Sequence, residues 1–209
     1  MSTRYFAPCP KGLEYLLVDE LRALGASSAR EALAGVYFEG DAGFGYRACL
    51  WSRLASRLQL PLGEFDAETA DALAAGVGAI DWSEHLDVDG TLAIDAHGST
   101  RGLTNAAYAA LRAKDAIVDQ FRERTGARPD VSNDRPSIRV NIALRHGRAH
   151  LSLDLSGGAL FMRGYRRGQG DAPLKENLAV AMLLRGRWPE VYARGGALLD
   201  PMCGAGTLL

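Results

Sequence analysis

Residues 198–209 have the sequence LLDPMCGAGTLL, an apolar run that leads into a turn with two closely spaced glycines. This pattern predicts a strand over residues 197–200, a tight loop and the start of a helix. Glycine is needed where the backbone approaches a ligand too closely to admit a Cβ atom. The stretch is not a dinucleotide-binding fingerprint, because Leu209 stands where the third glycine or alanine would be. It also lacks the Gly-Lys-Ser/Thr ending of a phosphate loop, so it predicts a cofactor loop of another class.

A second informative segment, APLKENLA at residues 172–179, precedes this predicted strand. Its early proline predicts a helix from about Leu174 to Leu184. A helix that begins at Pro173 or Leu174 would direct its first backbone N–H groups toward the carboxylate of a bound ligand. The flanking pattern predicts a strand-like run that begins at residue 159 and a connector at residues 186–196.

The hydrophobic pattern of residues 1–65 alternates between strand-like and helix-like segments. In chain order these are a strand at 4–9, a helix at 12–25 that Gly25 ends, a strand at 36–40, a helix that begins near Phe44, and an extended edge at 57–62. This order predicts a small split β-α-β layer of the ferredoxin type.

The pattern of residues 66–158 predicts a second unit. In chain order we expect a helix over 66–80 capped by Asp66, a strand over 91–98, a helix over 103–126 that Gly126 ends, and a β-hairpin over 138–157 around the sequence RHGR.

The net charge of −1 conceals a segregation of charge along the chain. Residues 1–100 contain 7 Lys and Arg against 15 Asp and Glu, and residues 101–170 contain 13 against 6, so their net charges are −8 and +7. The basic block, residues 101–170, has Lys114 as its one lysine, and its other cations are arginines. Because arginine grips phosphate and stacks on bases, the basic block suggests nucleic-acid binding. A solvated helix face combined with an arginine-rich codon usage is the competing explanation.

Composition narrows the class of protein. With 47% hydrophobic and 23% charged residues, the chain has the composition of a soluble globular protein. No apolar run approaches the roughly 18 residues of a membrane span, and the first residues lack the apolar core of a secretory signal. The 3 cysteines and 4 histidines have no metal-ligand spacing. We therefore expect reduced thiols, a cytoplasmic location, no membrane partner and no metal site.

The string DPMCGAGT resembles motif I of methyltransferases that use S-adenosylmethionine, in the form found in nucleic-acid N-methyltransferases. In that family the loop passes under the methionine and sugar portions of the cofactor. The segment APLKENLA is similar to the motif that forms a lid of the same pocket. The resemblance assigns cofactor binding to Asp200, Cys203, Gly204, Gly206 and Thr207, and to Ala172, Pro173, Leu174, Lys175, Glu176 and Asn177.

The front of the chain is similar to a narrower family. FAPCPKGLEYLLVDEL, SIRVNI and LSLDLSGGALFMRGYR, followed by APLKE and DPMCGAGT, resemble bacterial 23S rRNA (guanine-N2)-methyltransferases that carry a THUMP domain. The resemblance covers nearly the whole chain and implies an α+β protein. Its parts would be a ferredoxin-like N-terminal domain over residues 1–65, a THUMP RNA-binding domain over 66–158, and a connector with the first elements of a Rossmann-like methyltransferase domain over 159–209.

This family implies methyl transfer from S-adenosylmethionine to the exocyclic N2 of a guanine in 23S rRNA. The family's (Asn/Asp)-Pro-Pro-(Tyr/Phe) motif, which orients the amine, is absent from the sequence, so no catalytic residue is assigned. We expect the longer protein to be an enzyme, and this chain alone to bind the cofactor poorly and to be inactive. Two alternatives remain open: a stand-alone module that binds structured RNA, and a methyltransferase that acts on tRNA or DNA.

The resemblance gives the basic block a role, because THUMP domains bind structured RNA largely through its backbone and shape. The candidate RNA contacts are Arg101, Arg112, Arg122, Arg124, Arg128, Arg135, Arg145, Arg148, Arg163, Arg166 and Arg167. The last three lie at residues 163–167, in the segment that leads from the THUMP domain to the methyltransferase elements, where they could hold RNA that enters the active site. The expected partner is 23S rRNA.

Overall fold

The computed structural model describes residues 2–165 and 173–209. Arg166, Arg167 and Ala172, three of the predicted site residues, lie outside the described residues. The chain forms two compact units, Met1–Gln59 with Gly158–Leu209 and Leu60–Gly157. Both units mix helices with a sheet, so the predicted α+β class is confirmed.

The first unit begins with the β-α-β-β-α-β order of a ferredoxin-like domain. Its elements are β1 (Thr3–Pro8), α1 (Glu14–Leu24), β2 (Ser28–Ala32), β3 (Gly35–Gly40) and α2 (Ala42–Trp51), after which β4 (Gln59–Asp66) begins. Gly25 ends α1 in the left-handed conformation, as predicted. Strand β2 is not predicted from the sequence, because SAREA contains no β-branched or aromatic residue.

Strands β2, β3 and β1 lie side by side in that order and pair in antiparallel fashion. Side chains alternate between the two faces of a sheet. The inner face packs against the helices, and the rings of Phe38 and Phe44 meet there with centroids 5.4 Å apart. The inner side chains are the buried Tyr5, Ala7, Ala29, Val36 and Phe38, whereas the outer face carries Arg4, Phe6, Arg30, Tyr37 and Glu39.

Residues 158–209 return to the first unit and contribute α5 (Glu176–Arg185) and α6 (Trp188–Ala193). Helix α5 begins at Glu176 rather than at Pro173 or Leu174, and α6 occupies the segment predicted as a connector. The strands predicted from residue 159 and at 197–200 are wrong, because no described strand pairs with either segment. An apolar run without a neighbouring strand has no ladder to join and stays irregular.

Arg163 attaches the returning segment to helix α2. Its guanidinium donates to the carbonyls of Cys49, Leu50 and Ser52 at 3.2, 3.1 and 2.6 Å. A cation at this position satisfies carbonyls that the last turn of the helix leaves free, and it complements the negative end of the helix dipole. The donors of Arg163 are therefore engaged by the protein itself.

Asn177 attaches α5 in a similar way from a fully buried position. Its Nδ2 donates to the carbonyl of Leu54 at 3.4 Å and to Oγ of Ser56 at 3.2 Å. A buried carbonyl without a donor is costly, so these bonds fix where the first turn of α5 lies. The position of the cofactor segment thus depends on the loop that follows α2.

The second unit runs from Leu60 to Gly157. After β4 it contains α3 (Ala70–Gly78), a 3-10 turn (Trp82–Glu84), β5 (Thr91–Gly98), α4 (Ala106–Thr125), β6 (Asp130–Val131), β7 (Ile138–Arg145) and β8 (Arg148–Asp154). The strand order is β4-β8-β7-β5-β6. Strand β5 is parallel to β7 and β6, and β7 is antiparallel to β8.

The sequence predicts most of these elements correctly. Strand β5 has the predicted bounds, Gly126 ends α4, and the RHGR hairpin turns at His146 and Gly147 with φ of 50° and 77°. The predicted cap of α3 is wrong: Thr69 accepts from the backbone N–H of Ala72, whereas Asp66 is the last residue of β4.

The core of the second unit forms around Trp82, which is completely buried and donates from Nε1 to the carbonyl of Val77. Gln120 of α4 accepts from the backbone N–H of Trp82 and donates to the carbonyls of Gly78 and Ile80. The amide of Gln120 therefore closes the C-terminal end of α3 and holds the following turn against α4.

We predict that Asn177→Ala lowers the free energy of unfolding by about 1–3 kcal/mol, because it leaves the buried Leu54 carbonyl without its donor. Urea denaturation followed by circular dichroism measures the change. Arg185→Ala, an exposed position on the same helix, is the matched control and should have little effect. Equal midpoints for the two variants would show that Asn177 does not anchor α5.

Candidate functional site

The glycine-rich stretch folds into consecutive tight turns. The Oδ1 atom of Asp200 accepts from the backbone N–H of Met202 at 3.1 Å, and Gly206 N–H donates to the Cys203 carbonyl at 2.7 Å. Gly204 and Gly206 have φ of 51° and 74°, in the left-handed region that favours glycine. No described atom lies within 4 Å of where a Cβ would project from either glycine. The loop therefore presents bare backbone to open space.

This loop and the segment before α5 enclose one cavity of about 430 Å³. The lining residues are Pro173, Leu174 and Met182 on one side and Asp200, Met202, Cys203, Gly204, Ala205, Thr207 and Leu208 on the other. Two segments that the sequence nominates separately thus meet at a single site. Of the eleven nominated residues, Pro173, Leu174, Asp200, Cys203, Gly204 and Thr207 line it.

The remaining described candidates do not line this cavity. Lys175 lies before α5 with its ammonium 5.6 Å from the centre of the Phe161 ring, and Glu176 is buried at the helix start. The side chain of Asn177 is directed to Leu54 and Ser56. Gly206 contributes through the backbone turn rather than through the cavity wall.

The chemistry of the cavity suits a ligand with an apolar body and an amino group. Among the described lining residues, Asp200 carries the only charge, and most of the others are apolar or glycine. A carboxylate can hold an ammonium group, while the bare loop admits close contact with a sugar or a methionine chain. These residues therefore fit S-adenosylmethionine as the resemblance implies.

The structure changes the interpretation of the basic block. Residues 60–157, which form the second unit, contain 10 Lys and Arg against 15 Asp and Glu, a net charge of −5. Nine of these acids lie in residues 60–100, which contain no Lys or Arg. The unit as a whole is therefore not cationic. The fold also places its basic residues next to this acidic segment.

Among the described residues of the basic block, four arginines pair with carboxylates from residues 60–100. The pairs are Arg112–Asp71, Arg124–Asp81, Arg139–Asp95 and Arg148–Glu64. Three of these arginines are candidate RNA contacts, and Arg139 is the one arginine of the block that was not nominated. Because each carboxylate offsets its partner's charge, these arginines attract a polyanion less strongly than unpaired ones do.

Arg145 forms a different contact, with a neutral acceptor. Its Nε donates to Nε2 of His150 at 3.0 Å, and Nδ1 of His150 lies 3.3 Å from a carboxylate oxygen of Glu64. Burial, followed by the positive charge of Arg145, lowers the pKa of His150. A neutral imidazole with its proton on Nδ1 satisfies both contacts, so the charge of Arg145 is not neutralised by it.

Three candidate arginines, Arg101, Arg128 and Arg135, are exposed, and their guanidinium groups have no hydrogen-bond or ion-pair partner within residues 2–165 and 173–209. Arg101 lines a cavity of about 360 Å³ together with Glu68, Ser99, Thr100, His146 and Gly147. Arg122 pairs only with Asp119, one turn away on the same exposed helix surface. The uncompensated cations of the second unit are therefore fewer than the sequence suggests.

Two absences concern the part of the chain that the structure describes. In that part of the chain, no group of three or more His, Cys, Asp or Glu side chains is arranged to hold a metal ion. No helix within the same residues is long and apolar enough to cross a membrane.

Comparison with known proteins gives three consecutive family matches. A model of the RlmL ferredoxin-like domain matches residues 4–59, a model of the THUMP domain matches residues 67–154, and a model of the RMKL-like methyltransferase domain matches residues 163–209. The domain limits inferred from the sequence, near residues 65 and 158, remain predictions.

A full-length relative agrees with these matches. The ribosomal RNA large subunit methyltransferase K/L of Syntrophotalea carbinolica is 55% identical over 206 residues, which are 99% of this chain and 29% of that protein. The chain thus spans less than a third of the length of this relative.

Two solved structures share the fold. The predicted N6-adenine-specific DNA methylase of Listeria monocytogenes str. 4b F2365 has a TM-score of 0.83 at 29% identity, over 100% of this chain and 53% of that one. SMU.472 in complex with SAH has a TM-score of 0.82 at 30% identity, over 99% of this chain and 54% of that one. The chain thus carries ferredoxin-like, THUMP and methyltransferase segments in this order, and it is similar to the N-terminal part of large-subunit ribosomal RNA methyltransferases K/L.

Proposed function

We propose that this chain is the RNA-recognition part of an S-adenosylmethionine-dependent methyltransferase that modifies the exocyclic N2 of a guanine in 23S rRNA. The observation that carries the proposal is the shared cavity of residues 173–174 and 200–208, in a chain that is 55% identical to a ribosomal RNA methyltransferase. A cytoplasmic location follows from an rRNA substrate.

The cofactor role rests on the residues that line this cavity. When bound, S-adenosylmethionine would supply a sulfonium methyl group whose carbon an amine can attack, so that the methyl passes to nitrogen, S-adenosylhomocysteine leaves and the amine loses a proton. Asp200 would hold the amino group of the cofactor, and the backbone of Gly204 would lie beneath its sugar and methionine portions. Pro173 and Leu174 would close the cavity from the other side. The SAH bound to the homologous SMU.472 supports a cofactor of this class.

The RNA role rests on the uncompensated cations of the second unit. Arg101, Arg128, Arg135 and Arg145 have no carboxylate partner in the described part of the chain. A deep and narrow major groove keeps side chains away from the bases of an RNA helix, so backbone phosphates are the accessible feature. We infer that these four arginines contact phosphates of a structured segment of the transcript.

A second candidate function keeps the chemistry and changes the nucleic acid. The Listeria relative is a predicted N6-adenine-specific DNA methylase, so DNA is the competing substrate, with tRNA as a further one. A stand-alone RNA-binding module is the third reading, and it requires no use of the cavity. Measurements of RNA affinity and of methyl transfer to each nucleic acid separate these possibilities.

We predict that replacing Arg101, Arg128 and Arg135 with Gln weakens binding to structured 23S rRNA fragments and flattens its salt dependence. Each lost phosphate contact should reduce the slope of log affinity against log salt by about 0.9. Fluorescence anisotropy across a salt series measures the slope. The matched control replaces Arg112 and Arg124, whose charges are compensated, and should leave the slope unchanged. An equal loss in both variants would contradict the assignment.

We predict that a polypeptide extended past Leu209 to the length of its relatives transfers labelled methyl groups to guanine N2 in naked 23S rRNA. Nucleoside analysis of the product identifies the base and the position. The 209-residue chain should show no turnover, because it contains no motif that orients the amine. Methylation of adenine, of tRNA or of DNA alone would reject the rRNA guanine assignment.

We predict that S-adenosylmethionine slows alkylation of Cys203 in the extended polypeptide, because this exposed thiol lines the cavity. Cys9 is an internal control, since burial raises the pKa of its thiol to about 12 and keeps it unreactive. Mass spectrometry of alkylated peptides gives the two rates. A Cys203 rate that does not respond to the cofactor would place the methyl donor elsewhere.

A further inference from the structure

The outer face of the β2-β3-β1 sheet carries a shallow cavity that the proposed function does not use. Its volume is about 240 Å³, and its lining residues are Arg4, Ser28, Arg30, Tyr37, Phe38 and Glu39. All six come from the three strands of the ferredoxin-like domain, so the sheet itself sets their positions. We refer to Arg4, Arg30 and Tyr37 as the Tyr37 platform.

Aromatic rings and a guanidinium are layered on this face. The Cζ atom of Arg4 lies 4.5 Å from the centre of the Tyr37 ring, and the rings of Tyr37 and Phe6 have centroids 4.8 Å apart. Gly35 makes room for this arrangement, since a Cβ there would lie 2.4 Å from Cζ of Phe6. A cation over the face of a ring is held by the ring quadrupole, so Arg4 has a preferred position before any ligand binds.

The charges of the platform are available to a ligand. Arg4 and Arg30 are exposed, and neither pairs with a carboxylate among the residues that the structure describes. Glu39 is the acidic residue at the edge of the cavity. Residues 1–59, which contain the platform, have 7 Lys and Arg against 6 Asp and Glu, a net charge of +1, whereas the second unit has −5. Charge therefore favours a polyanion at the first unit.

We propose that the Tyr37 platform binds an unpaired nucleotide of the RNA substrate, with the base stacked on the Arg4–Tyr37 pair and an adjacent phosphate held by Arg30. Stacking requires a base that is free of its helix, because paired bases expose only their edges. Aromatic rings with neighbouring arginines on an open sheet face provide both the stacking surface and the phosphate contact. The Glu39 carboxylate can accept a hydrogen bond from an amino group of the base.

This inference rests on the proposed RNA substrate and extends it to a second contact of different chemistry. The arginines of the second unit would bind the phosphates of helical RNA, whereas the platform would bind single-stranded RNA. The two surfaces share no residue, so each can be removed without changing the other.

The test measures the affinity of the 209-residue chain for a fluorescein-labelled oligoadenylate that is too short to fold. We expect the double variant Arg4→Gln and Arg30→Gln to lose about tenfold in affinity, because it removes the guanidinium of the stacking pair and the cation at the phosphate. Tyr37→Phe keeps the ring and should retain binding, whereas Tyr37→Ala should lose it. Photo-crosslinking with 5-iodouridine-substituted RNA should place the adduct at Tyr37 or Phe6.

The matched control variant combines Tyr15→Ala with Arg47→Gln, an exposed aromatic and an exposed arginine on helices α1 and α2, which pack against the inner face. It should bind oligoadenylate like the unmodified chain. Unchanged binding by the Arg4/Arg30 variant, or equal competition by polyglutamate, would overturn the platform. If the binding of structured rRNA still depended on Arg101, Arg128 and Arg135 in that case, the proposed function would stand without the platform. Failure of the unmodified chain to bind either RNA would reject both.

Discussion

The ion pairs between residues 60–100 and the basic block determine the charge that the second unit presents to a ligand. Each joins two parts of the unit: α3 with α4, the residue that caps the 3-10 turn with α4, β5 with β7, and β4 with β8. Pairs as exposed as these contribute on the order of 0–1 kcal/mol each, so their main effect is not a gain in stability. They instead decide which cations remain uncompensated. A polyanion that approaches this unit meets an acidic surface on which only a few arginines attract it, and those few arginines set its position.

The sequence predicts the features whose cause is local. The hairpin at RHGR and the end of α4 at Gly126 each depend on residues close to one another. The meeting of the two cofactor segments, which lie far apart in the chain, is instead implied by the family resemblance. The partners of the arginines depend on register across strands and helices. Arg148 and Glu64, for example, are 84 positions apart, and no local pattern links them. The apolar run at residues 197–200 shows the opposite case, because its strand-like composition has no described neighbour with which to pair.

Asn177 and Arg163 illustrate why motif residues and site residues need not coincide. Both lie in segments that the family resemblance marks as functional, yet both donate to backbone carbonyls or hydroxyls near the end of α2. A cavity wall must be held in place by residues behind it, and such residues are as specific in sequence as those that touch a ligand. The segment that contains them therefore combines two roles, in which Pro173 and Leu174 face the cavity and Asn177 fixes the helix.

Transfer of a methyl group to the exocyclic amine of a base imposes a requirement on the RNA as well as on the enzyme. The amine must leave its helix to reach the methyl donor, so the transcript has to present an unpaired base next to structure that can be recognised. Cations that contact phosphates of a helix hold the structured part, but they carry no information about where the helix ends. A stacking surface responds to that end, because only an unpaired base can occupy it. On the two proposals, a ferredoxin-like domain with Tyr37 on its open face and a THUMP domain with few free arginines divide these two tasks between them.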